Sequence, residues 1–169
     1  MLMLNTIAKE QPFTLQADEY MLFKLDFQPP LTSVDEIYYW RSMNSRYLLE
    51  VGLAVATGVV NTITLVLVPP AWKVQRPSIK GLCEVEDSGK RGLPVFRLDP
   101  WNEKIGQKET GADPALRTHV EHLPFKLHLA PDGLAIIFDN FEPSSMVINK
   151  ELRFLFNARN EWCGLIAER

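Results

Sequence analysis

The sequence predicts an α+β fold, formed mainly by antiparallel β-sheet, in a single domain over residues 1–169. Four pairs of apolar segments are each joined by a short turn-forming loop, which is typical of β-hairpins. Two other segments begin with residues that favour the start of a helix. The length of 169 residues and the hydrophobic content of 46% suit one ordinary core. We therefore expect a sandwich or a strongly curved sheet with two short helices.

The first predicted strand is Tyr20–Phe27, in which apolar and polar residues alternate. A short strand at Phe13–Gln16 could precede it. Pro29 and Pro30 would end this unit, because proline cannot donate a hydrogen bond to a β-ladder. The apolar face of the main strand would contain Met21, Phe23, Leu25 and Phe27.

A helix is predicted over about Val34–Met43, because Ser33 and Glu36 form the pattern of a capping box. This segment contains the most aromatic stretch of the chain, Ile37–Trp40. Its rings could simply fill the core. Alternatively, Tyr39 and Trp40 could be partly exposed anchors at an interface with a partner protein, since Tyr and Trp are common in binding hot spots.

Residues Arg46–Val68 are predicted to form the central hairpin of the fold. We expect a three-residue loop, Ala56-Thr57-Gly58, with Gly58 in the left-handed region that glycine adopts at little cost. A two-residue turn would shift the register by one residue and move apolar side chains to the other face. With the longer loop, the predicted pairs on the apolar face are Val55/Val59, Leu53/Asn61, Val51/Ile63, Leu49/Leu65 and Tyr47/Leu67.

The same stretch has a rival interpretation, because Val51–Trp72 contains no charged residue and is long enough to cross a bilayer as a helix. Its glycines, its threonines and its period-two alternation favour strands instead. Pro69 and Pro70 also suit the end of a strand. We therefore predict no membrane span.

Gly81–Glu86 and Leu93–Asp99 are predicted to pair as a hairpin whose long tip carries Lys90 and Arg91. Basic residues exceed acidic ones over residues 73–108, which lie between two acidic segments. This excess fits either a solvated loop or a surface for an acidic partner. Lys90 and Arg91 are therefore candidate contacts for a partner protein.

Asp113 and Pro114 predict a second short helix, from Pro114 to about Leu123. A third hairpin follows, with Phe125–Leu129 paired to Leu134–Phe138. A four-residue loop would place Phe125 beside Phe138, and a three-residue loop would align the strands differently. We favour the four-residue loop.

The last hairpin is predicted to pair Leu152–Asn157 with Glu161–Ala167, through a loop in which Asn160 takes the left-handed conformation. An aromatic ring that lies over a cross-strand glycine would stabilise this pairing. The predicted pairs are Phe156/Trp162, Phe154/Gly164 and Leu152/Ile166.

The three histidines, His119, His122 and His128, lie close together in the sequence. On the predicted helix, His119 and His122 would share a face near Glu121, which makes a metal or small-ligand site an alternative hypothesis. Zinc needs three or four converging ligands, and here the third histidine follows Pro124 on a strand. We expect surface or half-buried histidines, with His128 facing solvent, and no metal or other cofactor.

Motifs for enzymatic chemistry are missing from the sequence, which has no nucleophile elbow, no phosphate loop and no dinucleotide fingerprint. Cys83 and Cys163 are the only cysteines, and they suit buried positions in a reducing compartment. The net charge of −3 argues against general binding to nucleic acid or to a membrane surface. We expect a cytoplasmic protein, bacterial in style and without enzymatic activity.

Two hairpin patterns resemble small, uncharacterised bacterial β-rich proteins, some of which accompany polymorphic toxins as immunity proteins. The patterns are L-E-V-x5-T-G-x4-I-T-L-V-L at Leu49–Leu67 and L-R-F-L-F-N-x3-E-W-C-G-L-I at Leu152–Ile166. The resemblance is confined to these hairpins and contains no functional motif. It implies a non-enzymatic protein that binds and blocks a cognate toxin, and it assigns no binding residue.

Two functional hypotheses follow from the sequence. The first is a non-enzymatic protein that binds a partner protein in an immunity-like or adaptor-like manner, through Tyr39, Trp40, Lys90 and Arg91. The second is a small-ligand or metal-binding β-rich module that uses His119, His122 and Glu121. Self-association through a sheet edge is a further possibility, because the apolar strands carry few edge charges.

Overall fold

The described part of the chain folds into three β-sheets, of which two are six-stranded. No α-helix is present in the part of the chain that the structure describes, which includes a short 3₁₀ turn at Pro70–Trp72. The predicted α+β class is therefore wrong, and the described fold is all-β. The computed structural model describes residues 1–17, 21–28, 37–44, 47–66, 68, 70–99, 118–139 and 141–168.

The described strands are β1 (Leu4–Ala8), β2 (Phe13–Gln16), β3 (Met21–Phe27), β4 (Ile37–Asn44), β5 (Tyr47–Ala54), β6 (Val60–Val66), β7 (Lys73–Gln75), β8 (Leu93–Phe96), β9 (Thr118–Glu121), β10 (Phe125–Ala130), β11 (Gly133–Phe138), β12 (Ser145–Asn149), β13 (Leu152–Phe156) and β14 (Trp162–Glu168). The first sheet has the order β2-β3-β6-β5-β4-β9, and the second has the order β12-β13-β14-β11-β10-β7. The third is a two-stranded ribbon, β1-β8. Neighbouring strands are antiparallel except for β4-β9 and β7-β10.

The two large sheets pack face to face over one continuous apolar core. Trp40 of β4 and Trp162 of β14 meet edge to face, with ring centroids 5.8 Å apart. Phe138 of β11 packs edge-on against both indoles, at 6.1 Å and 5.3 Å. Edge-to-face contacts stabilise aromatic pairs beyond the area that they bury, so these three rings hold the sheets together.

The first predicted helix, Val34–Met43, is wrong over the residues that can be compared. Ile37–Asn44 is strand β4, which pairs with β5 on one side and with β9 on the other. Residues 33–36, which carry the capping-box pattern, lie outside the described residues. A strand turns alternate side chains to the core, and β-branched and aromatic residues suit such a surface. The buried alternate residues of β4 are Tyr38, Trp40 and Ser42.

The second predicted helix, Pro114–Leu123, is also wrong where it is described. Thr118–Glu121 forms β9, which runs parallel to β4 at the edge of the first sheet. Residues 114–117 lie outside the described part. The helix prediction rests on local residues only. The open side of β4 has backbone groups that need hydrogen-bond partners, and Thr118–Glu121 pairs its own backbone with them.

The predicted hairpin between Gly81–Glu86 and Leu93–Asp99 does not form. Residues Leu93–Phe96 form β8, which pairs with β1 near the start of the chain. The segment that contains Ile79 and Cys83 instead packs on the outer face of the second sheet. Asp132 fixes the start of this segment by accepting hydrogen bonds from the Ser78 hydroxyl at 2.5 Å and from the Ile79 N–H at 3.0 Å.

The central hairpin is confirmed away from its tip, where the pairs Val51/Ile63 and Leu49/Leu65 are present, and Gly58 has the expected positive φ, of 76°. The predicted pairs Leu53/Asn61 and Val55/Val59 are wrong, because Leu53 pairs with Val60 and Val59 bonds to Ala54. The predicted pair Tyr47/Leu67 includes residue 67, which lies outside the described residues. The turn is four residues long rather than three, as the Ala54 N–H bonds to the Val59 carbonyl at 2.9 Å. A bulge at Asn61 absorbs the extra residue, so the predicted register is recovered beyond it.

The third hairpin has the favoured register, with Phe125 opposite Phe138. Its ladder continues to Ala130 and Gly133, so the turn has two residues rather than four.

The last hairpin is confirmed at its tip, where Asn160 has a φ of 61° and Phe156 lies opposite Trp162. A bulge next to Phe156 shifts the remaining pairs by one. Leu155, and not Phe154, therefore lies opposite Gly164.

The strands at the start of the chain follow the prediction in part. Both β2 and β3 lie where they are expected, and Phe23, Leu25 and Phe27 are buried. Strands β1 and β12 are not predicted. Strand β1 joins β8 in the ribbon, which is tied to two hairpin tips: Phe96 N–H bonds to the Gly58 carbonyl, and Leu4 N–H bonds to the Asn160 carbonyl.

Candidate functional site

The two aromatic residues predicted as partner contacts take different positions in β4. Trp40 is fully buried against Phe138 and Trp162, so its side chain is part of the core and is not available to a partner in this fold. Tyr39 points to the other side of the strand and is half-buried, with the Arg41 guanidinium 5.8 Å from the centre of its ring. Of this pair, only Tyr39 remains a candidate contact.

Lys90 and Arg91 are exposed, but they lie on a loop rather than at a hairpin tip. The Arg91 guanidinium donates two hydrogen bonds to the Asp87 carboxylate, at 2.9 Å and 2.7 Å. These bonds, together with one from the Gly89 N–H, hold the pKa of Asp87 below its ordinary value. The loop runs along β12 of the second sheet, whereas Tyr39 belongs to the first sheet. The predicted contacts therefore lie on different sheets.

His119 and Glu121 lie on the same side of β9, with His119 Nε2 2.9 Å from Glu121 Oε1. The Met1 ammonium forms an ion pair with the same carboxylate. His122 turns elsewhere, and its Nδ1 lies 2.6 Å from the Met43 carbonyl oxygen. Within the residues that the structure describes, no group of three or more His, Cys, Asp or Glu side chains could hold a metal ion.

His128 is buried, although the sequence predicts that it faces solvent. Strand β7 lies parallel to β10 and places Arg76 beside the ring, where the Arg76 Nε–H donates to His128 Nδ1 at 2.9 Å. Burial lowers the pKa of His128 below its ordinary value, and the positive charge of Arg76 lowers it further. The alternation of β10 correctly places His128 on the face opposite Phe125 and Leu127. It gives no sign that Arg76, which is distant in the sequence, lies beside His128 there.

The edge strands of the two large sheets differ in how they are protected. Strand β12 is covered by a loop, since Ile148 N–H bonds to the Lys90 carbonyl at 3.0 Å and Gly92 N–H bonds to the Ile148 carbonyl at 2.8 Å. Strand β9 carries Glu121, and β7 begins with Lys73; charged side chains discourage pairing with another strand. Strand β2 has the sequence Phe-Thr-Leu-Gln and carries no charge.

The backbone of β2 is hydrogen-bonded to β3 on one side. Gln28 N–H donates to the Pro12 carbonyl at 2.8 Å, and the positions that follow at every second residue, Thr14 and Gln16, therefore exchange hydrogen bonds with β3. The N–H and C=O groups of Phe13 and Leu15 lie between those positions and point away from β3. In the described part of the chain, these groups have no hydrogen-bond partner.

Two residues before Phe13, the outward backbone groups of the same edge are hydrogen-bonded by the side chain of Asn149. Its side-chain amide accepts a hydrogen bond from the Gln11 N–H and donates one to the Gln11 carbonyl, both at 2.9 Å. Gln11 lies two residues before Phe13, so its backbone groups point in the same direction. The fully buried Asn149 amide therefore makes the two hydrogen bonds that a neighbouring strand would make. The corresponding N–H and C=O groups of Phe13 and Leu15 have no such partner among the described residues.

An apolar cavity of about 190 Å³ lies beside β2, between the two large sheets. Leu15 lines this cavity and is 46% exposed, so the cavity opens next to the β2 edge. The opposite wall comes from the ends of β10, β11 and β14. The apolar lining includes Phe13, Leu15, Leu25, Leu129, Leu134 and Ala167. We call β2 with its outward backbone groups and this cavity the β2 edge site.

Sequence reasoning missed the β2 edge site. The available signal is a short apolar–polar alternation at Phe13–Gln16 without any charge. Local sequence does not show which strand lies at an edge, because this depends on the pairing of the whole sheet. None of the residues predicted as contacts belongs to the site.

Within the described residues, the fold and the site define a β-sandwich protein with an uncharged sheet edge that is open at Phe13 and Leu15. No protein-family model matches the chain, and no curated protein matches it. The resemblance to immunity-type proteins therefore stays a prediction. Among the described residues, no helix is long and apolar enough to cross a membrane.

Proposed function

We propose that this chain is a non-enzymatic protein-binding protein that takes up an extended segment of a partner protein along β2. The observation that carries the proposal is the row of outward N–H and C=O groups at Phe13 and Leu15, on an uncharged edge strand. Proteins recognise extended peptides by adding them as a further strand to such an edge, where main-chain hydrogen bonds supply affinity.

The manner of action that we propose is that of an immunity protein or an adaptor, in which binding itself is the function. Binding of this kind needs no catalytic group, and it agrees with the absence of enzymatic motifs from the sequence. Two free cysteines support the further proposal of a reducing, cytoplasmic location. Tyr39, Lys90 and Arg91 are accessible, and they could add contacts only to a partner large enough to extend beyond β2.

Hydrogen exchange of individual amides tests the open edge in the protein without any ligand. We expect the amide protons of Phe13 and Leu15 to exchange much faster than those of Thr14 and Gln16, because the latter pair donates to β3. Equal protection of all four amides would show that the edge is already paired and would remove the proposal.

A matched pair of variants then tests binding. Random nonapeptides displayed on phage are selected on the wild-type protein, and binding of the enriched peptides is compared between Leu15→Ala and Leu15→Pro. Both substitutions remove the leucine side chain, but only proline also removes the outward N–H, and it leaves the hydrogen bonds to β3 in place. We expect binding to Leu15→Ala to exceed binding to Leu15→Pro. Equal binding to both variants contradicts strand addition at this edge.

A further inference from the structure

We propose that the cavity beside β2 takes one large apolar side chain of the bound segment, an inference that rests on the proposed function. The partner would then be an extended segment that carries leucine, methionine or phenylalanine at one fixed position. Main-chain pairing alone is indifferent to side chains, so the cavity would supply the specificity of the site.

The size of the cavity suits one such side chain. An engineered protein cavity of about 150 Å³, lined by Leu, Ile and Phe, stays dry and binds benzene. The cavity here has about 190 Å³ and a mainly apolar lining. It is therefore large enough for a phenylalanine ring or a leucine side chain.

The charge around the cavity disfavours an ionised side chain. Glu168 is the charged residue of its lining, and Arg153 donates a hydrogen bond to the Glu168 carboxylate at 2.8 Å. A lysine or glutamate of the partner would lose hydration in the cavity, and the one charge near it is already paired. The chemistry of the site therefore selects an apolar residue.

The direction of the side chains on β2 fits this arrangement. Leu15 lies opposite the buried Leu25 in the register of β2 and β3, so Phe13 and Leu15 face the inner side of the first sheet. A strand added to β2 would lie about 4.8 Å away, and every second side chain of it would face the same inner side. The side chain next to Leu15 would thus lie over the cavity that Leu15 lines.

A second copy of this chain fits the site less well than a segment of another protein. The Asn149 amide already occupies the edge at Gln11, so the open backbone groups are those of Phe13 and Leu15. Specific, stable interfaces bury about 800 Å² on each partner. Pairing between two such short edges would bury far less than this.

The test uses the full chain and four acetylated, amidated heptapeptides that consist of threonine except at the central position. The central residue is leucine, phenylalanine, alanine or lysine. The sequence reads the same in both directions, so parallel and antiparallel addition are tested together. Binding is followed by NMR through the amide resonances of Phe13 and Leu15.

We expect the leucine and phenylalanine peptides to bind at least about tenfold more tightly than the alanine peptide, and the lysine peptide to bind no better than alanine. Ala130→Phe places a ring in the cavity that Ala130 lines and should abolish this preference. Ala71→Phe is the control, because Ala71 is exposed and lies outside the cavity lining. Melting curves verify folding, and Ala130→Leu replaces the larger substitution if that variant unfolds.

The possible failures are distinguishable. If all four peptides shift the resonances of Phe13 and Leu15 equally, the side-chain preference is wrong and strand addition stands. If no peptide shifts them, both proposals fail. A concentration-dependent dimer in sedimentation experiments that Leu15→Pro abolishes would identify a second copy as the occupant and would overturn the inference.

Discussion

At the scale of single residues, two buried polar side chains have hydrogen-bond partners that are far away in the sequence. His128 receives a hydrogen bond from Arg76 and is 7% exposed. Asn149 is fully buried, and both bonds of its amide go to the backbone of Gln11. A buried polar group is tolerated when its hydrogen bonds are made, and each of these groups makes them with a segment that also needs them.

His128 predicts a loss of stability in mild acid. Its pKa is lowered in the folded state by burial and by Arg76 from an ordinary value of 6.5. The unfolded state therefore binds the proton first as the pH falls below about 6.5, and each pH unit down to the folded pKa lowers the free energy of unfolding by up to about 1.4 kcal/mol. Urea unfolding of the wild-type protein between pH 7.5 and pH 5 measures this loss.

His128→Asn is the matched variant for that measurement. An asparagine oxygen can accept the Arg76 hydrogen bond, but the side chain does not titrate in this range. His119 and His122 are present in both proteins, so their contributions cancel in the difference. An identical pH dependence of the two proteins would show that His128 does not titrate as described.

Asn149→Ala should lower the free energy of unfolding by about 1–3 kcal/mol, because the Gln11 N–H and carbonyl lose both partners. Asn149→Asp keeps an acceptor for the Gln11 N–H and loses the donor to the carbonyl. Hydrogen exchange of the Gln11 amide should therefore be faster in the alanine variant than in the aspartate variant. Unchanged exchange in both variants would contradict the role given to this amide.

At the scale of elements, the turns are held by contacts with other strands as well as by their own conformation. Gly58 has a left-handed backbone, with a φ of 76°, and its carbonyl accepts a hydrogen bond from Phe96 N–H at 2.9 Å. A Cβ at this position would lie 2.1 Å from the Phe96 carbonyl oxygen. Position 58 therefore requires glycine for two reasons, which are its left-handed backbone and the close approach of β8.

Gly58→Ala should destabilise the protein by about 2–3 kcal/mol more than Gly89→Ala. Gly89 has a similar φ of 72°, but a Cβ there would meet no atom within 4 Å. Both substitutions carry the cost of a left-handed alanine, about 1–2 kcal/mol, and only the first also displaces β8. Chemical denaturation of both variants gives the comparison, and equal losses would mean that the contact with β8 relaxes without cost.

At the scale of the whole molecule, strands that are distant in the sequence are paired: β1 with β8, β4 with β9 and β7 with β10. Each of these pairs links parts of the chain that local hairpins do not connect. The buried residues between the two large sheets belong to one apolar cluster. Loss of any of these pairings exposes part of the shared core, so unfolding should be cooperative and the predicted single domain should behave as one unit.

Cys163 supplies a probe of this cooperativity. It is fully buried, and burial raises the pKa of its thiol to about 12, so it should not react with a thiol reagent in the native protein. In a Cys83→Ser variant, labelling of Cys163 should begin at the same urea concentration as the change in tryptophan fluorescence. Labelling at a much lower concentration would show that the segment containing Ile79, which packs with Cys163 on the outer face of the second sheet, opens separately.

The sequence alone determined the features that depend on neighbouring residues. Alternation predicted a strand at Tyr20–Phe27, which the structure shows over Met21–Phe27. A glycine and an asparagine tolerant of positive φ marked the reversals at Gly58 and Asn160. The register of Phe125 opposite Phe138 also followed from apolar matching. These features are local because strand faces and turns are set by backbone sterics and side-chain period.

The tertiary structure alone decided which strand lies beside which, and with it the candidate site. A capping box and an aspartate–proline pair favour helices locally, yet Ile37–Asn44 and Thr118–Glu121 are strands because adjacent strands supply their hydrogen bonds. The burial of His128 and the open edge of β2 have the same origin. Backbone groups must be paired wherever they are buried, and the partner that pairs them is fixed only when the whole sheet is assembled.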